Sequence, residues 1–256
     1  IGGQENTFNM KWLKPYWVRP IVMNVYIMVD PSKGRSKTSD RTAMAVVGID
    51  SAGNRYLLDG YCHRMQLSER WEKLRGLHRK WANTPGVQSI KVGLERYGLQ
   101  SDEEYFEEKM RETGYRFEII ELNWTGQVGR QSKQNRVERL EPDFRNGDFF
   151  VPGKVWHPEH PKGATWEWDE TQSKLAFNDI KGLLNIEKRC QANGEHWRLI
   201  EPLRRVDEDS NIYDLTRVFF TEYGFFPFSP RDDLIDAMSR IYDMEPRPAV
   251  ILEKIV

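Results

Sequence analysis

Five carboxylates stand where they could do chemistry together. Asp30 closes the apolar run 23–29 (MNVYIMV), Glu95 closes the run 89–94 (SIKVGL), and Asp232, Asp233 and Asp236 open the stretch 230–242 (PRDDLIDAMSRIY). An acid at the end of a buried strand is held rigidly at the sheet edge. In 230–242, Leu234, Ile235, Ala237, Met238 and Ile241 recur at spacings of three and four. That pattern predicts a helix with one buried face, with Pro230 in its first turn, where the missing N–H would go unpaired anyway. On such a helix Asp233 and Asp236, and Asp232 and Asp236, reach a common side. The dipole of a helix N-terminus tolerates some negative charge, but three carboxylates exceed what a cap needs. The plain alternative is a capped surface helix with a solvated acidic turn. Three separated acidic sites, each at the edge of an apolar element, favour one shared site instead. Clustered carboxylates repel one another and need a compensating cation. Oxygen-only ligands suit Mg²⁺ or Mn²⁺ rather than Zn²⁺. Two such ions roughly 3.5–4 Å apart can activate a water and stabilise the leaving oxygen in phosphodiester hydrolysis.

The elements that must carry these acids follow from periodicity and turn chemistry. Residues 23–29, 42–49 and 55–62 read as three strands joined by short connections, an antiparallel meander. Leu67, Trp71, Leu74, Leu77 and Trp81 have helical spacing, so 67–81 is a crossover helix that returns 89–94 parallel to the first strand. Residues 102–113 read as helix and 115–122 as strand, continuing an α/β alternation in which sites form at the C-terminal strand ends. Residues 126–139 form a polar helix whose cations Arg130, Lys133, Arg136 and Arg139 share a side; a solvated basic helix and a phosphate-contacting face are both open. Residues 140–152 read as a helix end, a turn and a short β segment. Residues 154–168, rich in Trp and Pro, read as an insertion or hairpin, and their pair His157 and His160 lacks further ligands for a zinc site. Residues 170–192 and 211–223 read as helical, 196–203 as ambiguous, and 224–229 as an aromatic connector. Residues 1–20 are expected to pack their aromatics on the domain or to end a linker. The expected organisation is a lead-in at 1–20, a domain at 21–245 with a candidate insertion at 154–211, and a tail at 246–256.

Composition bounds the rest. The 256 residues are 39% hydrophobic and 30% charged, an ordinary globular balance. A formal net charge of −1 argues against polyanion binding by overall charge, so any nucleic-acid surface is a local patch. No apolar run approaches a membrane span and no signal-peptide pattern opens the chain. Cys62 and Cys190 lack metal-ligand spacing and read as reduced, buried thiols. The spacing of a phosphate-binding P-loop is absent.

Four motifs, VDPSKGRSKTSDRTAMAVVGID, VGLERYG, SKQNRVERLEPDFRNGDFFVP and FPFSPRDDLIDAMSR, make the chain resemble the RNase H-like nucleases. Among these it most resembles the nuclease domain of the tailed-bacteriophage terminase large subunit, over about residues 25–242. The resemblance implies an α/β fold: a mixed central sheet, antiparallel meander plus parallel strands, with helices on both faces. It implies a Mg²⁺- or Mn²⁺-dependent endonuclease that cuts concatemeric double-stranded viral DNA during packaging by a two-metal mechanism. Asp30 would bridge two ions, Glu95 bind one and Asp233 the other. Asp232 or Asp236 would assist, and Asp40 would be a further ligand or position water. Lys133 and Arg136 would face DNA phosphate, with Arg130 and the loop cations Lys33, Arg35 and Lys37 as further DNA contacts. Two departures stand out: Arg231 takes a place where relatives often carry His, and residues 154–211 exceed a minimal domain. The implied partners are DNA, an N-terminal packaging ATPase of the same polypeptide whose Walker motif is missing here, the portal and the small terminase subunit, in the host cytoplasm. A RuvC-like resolvase or transposase and a non-catalytic DNA-docking module are the alternatives. Dependence of activity on the metal separates the last from the others.

Overall fold

A computed structural model describes residues 5–31, 41–96, 101–123 and 130–251. The central sheet has seven strands: β1 (Lys14–Tyr16), β2 (Met23–Asp30), β3 (Thr42–Ile49), β4 (Arg55–His63), β5 (Val87–Glu95), β6 (Ile119–Leu122) and β7 (Phe149–Pro152). Their order is β1-β7-β4-β3-β2-β5-β6. β3 runs antiparallel to both β2 and β4, whereas β5 is parallel to β2 and β6 parallel to β5. This is the expected meander followed by parallel strands. The intervening helices are α1 (Leu67–Ala82), α2 (Ser101–Thr113), α3 (Arg130–Glu138) and α4 (Glu141–Asn146).

Both faces of the sheet are covered, and strand alternation decides what each face holds. In β2, Val25, Ile27 and Val29 join Met44 and Val46 of β3 under α1, whose Trp71, Leu74, Leu77 and Trp81 are buried, and under Phe106 and Met110 of α2. Tyr26 and Met28 point the other way, with Ala43, Ala45 and Val47 of β3. A strand buried on both faces reads as a continuous apolar run, as 23–29 does. The second face is covered by α6 (Leu215–Phe225) and α7 (Asp233–Ser239). Every residue of α7 is buried, as in helices hydrophobic all round. Its Leu234, Ile235 and Met238 each contribute about 1.5–3 kcal/mol on burial, which offsets the cost of carrying two acids into the interior.

Residues 5–20 pack against the domain: Phe8 is buried and stacks on Tyr223 with ring centroids 4.6 Å apart, and β1 pairs parallel with β7. Three differences from the periodic reading have local causes. Residues 174–179 form a strand, β10 (Lys174–Asp179), rather than helix, paired with β9 (His160–Asp169), which also pairs with β8 (Val155–His157). Leu175 and Phe177 alternate toward the core, a period-2 signal inside a window read at period 3.6. The helix α5 (Lys181–Ala192) then follows. Residues 204–206 and 212–214 form a hairpin, β11 (Arg204–Val206) and β12 (Ile212–Asp214), so α6 starts only after Asp214. The acidic helix starts at Asp233, three residues beyond Pro230, with Asp232 as its N-cap. Among the described residues, no helix is long and apolar enough to cross a membrane.

Asp214 is the buried N-cap of α6; its carboxylate accepts from the Arg217 N–H and, at 2.8 Å, from the Trp156 N–H, tying the small sheet to the helix. Burial pushes its pKa up to about 6, while the backbone N–H groups of Trp156, Arg217 and Thr216 pull against it. The folded state therefore keeps a proton that the unfolded chain has lost. The stabilising contribution is full below pH about 4 and lost as pH rises through about 6, a swing of about 3 kcal/mol. Urea unfolding of the chain and of Asp214→Asn at pH 4 and pH 7.5 should show the gap between them changing by this order.

Candidate metal centre

The sheet brings the first two acids together. Asp30 ends β2 and Glu95 ends β5, and these strands are parallel neighbours with Val29 in register with Leu94. Val29 and Leu94 face α1 and α2, so period 2 turns Asp30 and Glu95 to the opposite face, under α7. Gly93, on that same face, matters for a steric reason. A Cβ there would lie 2.4 Å from the Met244 sulfur and 2.8 Å from a Leu122 methyl. Gly93 thus leaves room for Met244, while the small Ala43 and Ala45 of β3 lie on the face that α7 packs against.

α7 supplies the third acid. One oxygen from each of Asp30, Glu95 and Asp236 lies within 4.8 Å of the others. The three residues are 8%, 1% and 1% exposed, so water does little to screen their repulsion. Helix α3 supplies the balancing charge. Arg136 donates from Nε and Nη2 to the two carboxylate oxygens of Asp236, 2.8 Å each, and its Nη2 is 3.8 Å from Glu95. Lys133 Nζ lies 2.6 Å from Asp232 and 3.4 Å from Asp236. Burial alone would lower the pKa of the Lys133 ammonium; Asp236 and Asp232 outweigh it and the pKa is raised.

Asp233 turns the other way. Its Oδ2 accepts from Arg41 Nε at 2.9 Å, and Nη2 of the same guanidinium reaches Glu222 Oε1 at 2.5 Å. The other Glu222 oxygen accepts from the Ile235 N–H at 2.8 Å. The first turn of α7 is therefore capped by a side chain of α6, since Asp232 makes no side-chain cap bond. Burial pushes the Glu222 pKa up to about 7 against the pull of Arg41. Burial likewise raises the pKa of the adjacent Cys62 thiol well above its usual range. Cys62, Glu222 and Asp233 also each offer an atom within 4.8 Å of the others, with Arg41 bridging the two carboxylates.

Thus the structure gathers Asp30, Glu95 and Asp236, puts Asp232 beside Lys133, and pairs Asp233 with Arg41. Lys133 and Arg136, expected toward DNA phosphate, point inward to the acids, and Arg136 is buried. The reason is electrostatic: four carboxylates on one face draw in the nearest cations. Arg139 pairs with Asp243. Lys33, Arg35, Lys37 and Asp40 lie outside the described residues, as does the side chain of Arg130. Sequence reading missed Glu222. The available signal was an acid embedded in an aromatic run, Phe219, Phe220 and Tyr223. His157 and His160 sit across the β8–β9 turn, ring centroids 5.7 Å apart, and among the described residues they join no group of three metal-binding side chains. Both cysteines are free and buried. Three converging carboxylates and no imidazole or thiol form a donor set that fits Mg²⁺ or Mn²⁺.

No protein-family profile matches the chain, and no curated protein matches it. Several solved structures are similar. The manganese-soaked human cytomegalovirus terminase nuclease domain is 12% identical over 93% of this chain and 94% of that one, with a TM-score of 0.49. The large terminase nuclease of thermophilic phage G20c is 12% identical over 68% of this chain and 89% of that one, with a TM-score of 0.38. The fowlpox virus Holliday junction resolvase is 14% identical over 68% and 93%, with a TM-score of 0.33.

The partners of the three helix acids rank their importance to the metal-free fold. Asp236→Asn strands a buried guanidinium and should cost about 3 kcal/mol. Asp233→Asn, whose Arg41 partner also has Glu222, should cost less. Asp232→Asn, with a side chain 31% exposed, should cost no more than about 1 kcal/mol. Urea unfolding in EDTA reads the order, and an equal effect of all three would refute it.

Proposed function

We propose that this chain is a divalent-cation-dependent nuclease that cleaves double-stranded DNA, working in viral genome packaging. The observation that supports it is the convergence of Asp30, Glu95 and Asp236 from two strand ends and a buried helix into one all-oxygen group. In this reading Asp30, Glu95 and Asp236 hold the first cation, Asp232 is an additional ligand, and Asp233 would serve a second ion on leaving Arg41. Bound there, Mg²⁺ or Mn²⁺ lowers the pKa of a water to make it a nucleophile and offsets charge on the phosphate.

The chain's own residues do the rest. The ends of β2 and β5 fix two carboxylates on a sheet that cannot shift without breaking its ladder, so the donor set is pre-organised. Lys133, partly exposed and held charged by its acidic neighbours, is the proposed contact to a phosphate oxygen and would have to turn from those acids to reach it. Lys33, Arg35, Lys37 and Arg130 are further proposed DNA contacts, and Asp40 a further proposed ligand. Contacts of this kind position a duplex without reading its sequence. With a net charge of −1, the chain alone should bind DNA weakly, around 10⁻⁴–10⁻⁶ M at physiological salt. A packaging ATPase, the portal and a small terminase subunit, in a host cytoplasm, are the proposed setting that supplies the remaining grip.

The test is supercoiled plasmid incubated with the chain in EDTA, Mg²⁺ or Mn²⁺. Slow, sequence-tolerant, salt-suppressed cutting is expected with either ion and none in EDTA, with Mn²⁺ at least as effective because it tolerates imperfect octahedra. Asp30→Asn should lower the rate by about a hundredfold or more while circular dichroism stays unchanged. Full activity of Asp30→Asn, or cutting in EDTA, would refute the reading.

A further inference from the structure

Arg136 is a buried cation beside the converging acids. It sits 9% exposed, with two parallel bonds to Asp236 and Glu95 beyond them. Such bidentate guanidinium–carboxylate pairs are the strong kind of charge-assisted hydrogen bond. A divalent ion ligated by Asp236 would share its oxygens with a like charge whose nitrogens lie 2.8 Å away. Lys133 approaches Asp236 from the same helix, one turn earlier, and also holds Asp232.

We propose that Arg136, assisted by Lys133, is a resident counter-cation of the Asp30–Glu95–Asp236 group that a divalent ion must displace from Asp236, so that α3 answers to cation occupancy. The inference rests on the reading of those three acids as ion ligands. Three consequences follow from the geometry. Without metal, Arg136 keeps the buried acids compatible with a folded interior, where a lone buried charge is costly. When an ion enters, the guanidinium gives up a carboxylate and needs another anion. A phosphate arriving at the same edge of the sheet is of the right chemistry, since two of its oxygens can accept from the planar fork of the guanidinium. The resident cation also sets a threshold: weakly held divalent ions do not win Asp236 from it.

Mn²⁺ binding, read by the loss of the free-ion electron paramagnetic resonance signal, tests this without any cleavage assay. Arg136→Gln keeps a hydrogen-bonding side chain and removes the charge. Its Mn²⁺ affinity should rise by about tenfold or more, equivalent to at least about 1.4 kcal/mol. Its melting temperature in EDTA should fall, and the rise in melting temperature on adding Mn²⁺ should exceed that of the unsubstituted chain. Lys133→Gln, at a more exposed position and so a safer fold, should tighten Mn²⁺ binding by a smaller factor, about threefold. In the unsubstituted chain, the ¹⁵N resonance of the Arg136 Nε–H should move on titration with Mg²⁺. If the unsubstituted chain binds Mn²⁺ and neither variant binds it more tightly, the competition is overturned and Arg136 only orients Asp236. If the unsubstituted chain binds no Mn²⁺ at all, the ion-ligand reading itself falls.

Discussion

The architecture depends on one electrostatic constraint: carboxylates buried on one face of the sheet have to be neutralised from within. α7 lies under α3 and α6 and against β2 and β3, and each neighbour answers one of its charges. α3 brings Arg136 to Asp236, α6 brings Glu222 to the Ile235 N–H, and Arg41 joins Glu222 to Asp233. None of these pairs need stabilise the fold relative to an apolar replacement of the same shape. They fix where α7 sits. The stabilisation comes from the aliphatic residues of α7 and from the aromatic cluster of Phe144, Phe219 and Tyr223 beneath α6.

The opposite face also buries acids, Asp59 paired with Lys80 and Arg205 and Asp102 paired with Arg70. Beneath them, the layer that α1 and α2 lay on β2 and β5 is aliphatic and aromatic, with Trp71 stacked on Phe117. Strand alternation sends Val29 and Leu94 into that layer and Asp30 and Glu95 out of the other. The position of each acid is therefore set by packing that the acids do not touch. Gly93 completes the arrangement by leaving room for Met244, in the segment that follows α7.

Much of this was legible in the chain. The runs before Asp30 and Glu95 declare buried strands, and the spacing of Trp71, Leu74, Leu77 and Trp81 declares α1, because burial on a regular element leaves a regular pattern. What was not legible depends on residues far apart. Lys133 and Arg136 lie on a helix with almost no apolar face, which by pattern alone faces solvent. Their inward turn, and the burial of Arg136, are created by acids a hundred positions later. The division of labour within Asp232, Asp233 and Asp236 was equally hidden, since it depends on Arg41 and Glu222. Residues 174–179 were hidden differently: Leu175 and Phe177 alternate too briefly to stand out until β9 is there to pair with them.

The cap on α7 carries a consequence for the order in which the molecule is made. A helix of seven residues is too short to persist alone in water, and its first turn borrows an acceptor from Glu222 of another helix. Asp30, Glu95 and Asp236 come from early, middle and late in the chain, so their meeting involves long loop closures of the kind that slow folding. During synthesis, domains form from the N-terminal end as the ribosome releases them. The strands that carry Asp30 and Glu95 can pair well before α7 leaves the tunnel. The acid group is then completed only once α7 has been released, and a chain made only as far as β5 does not yet carry it.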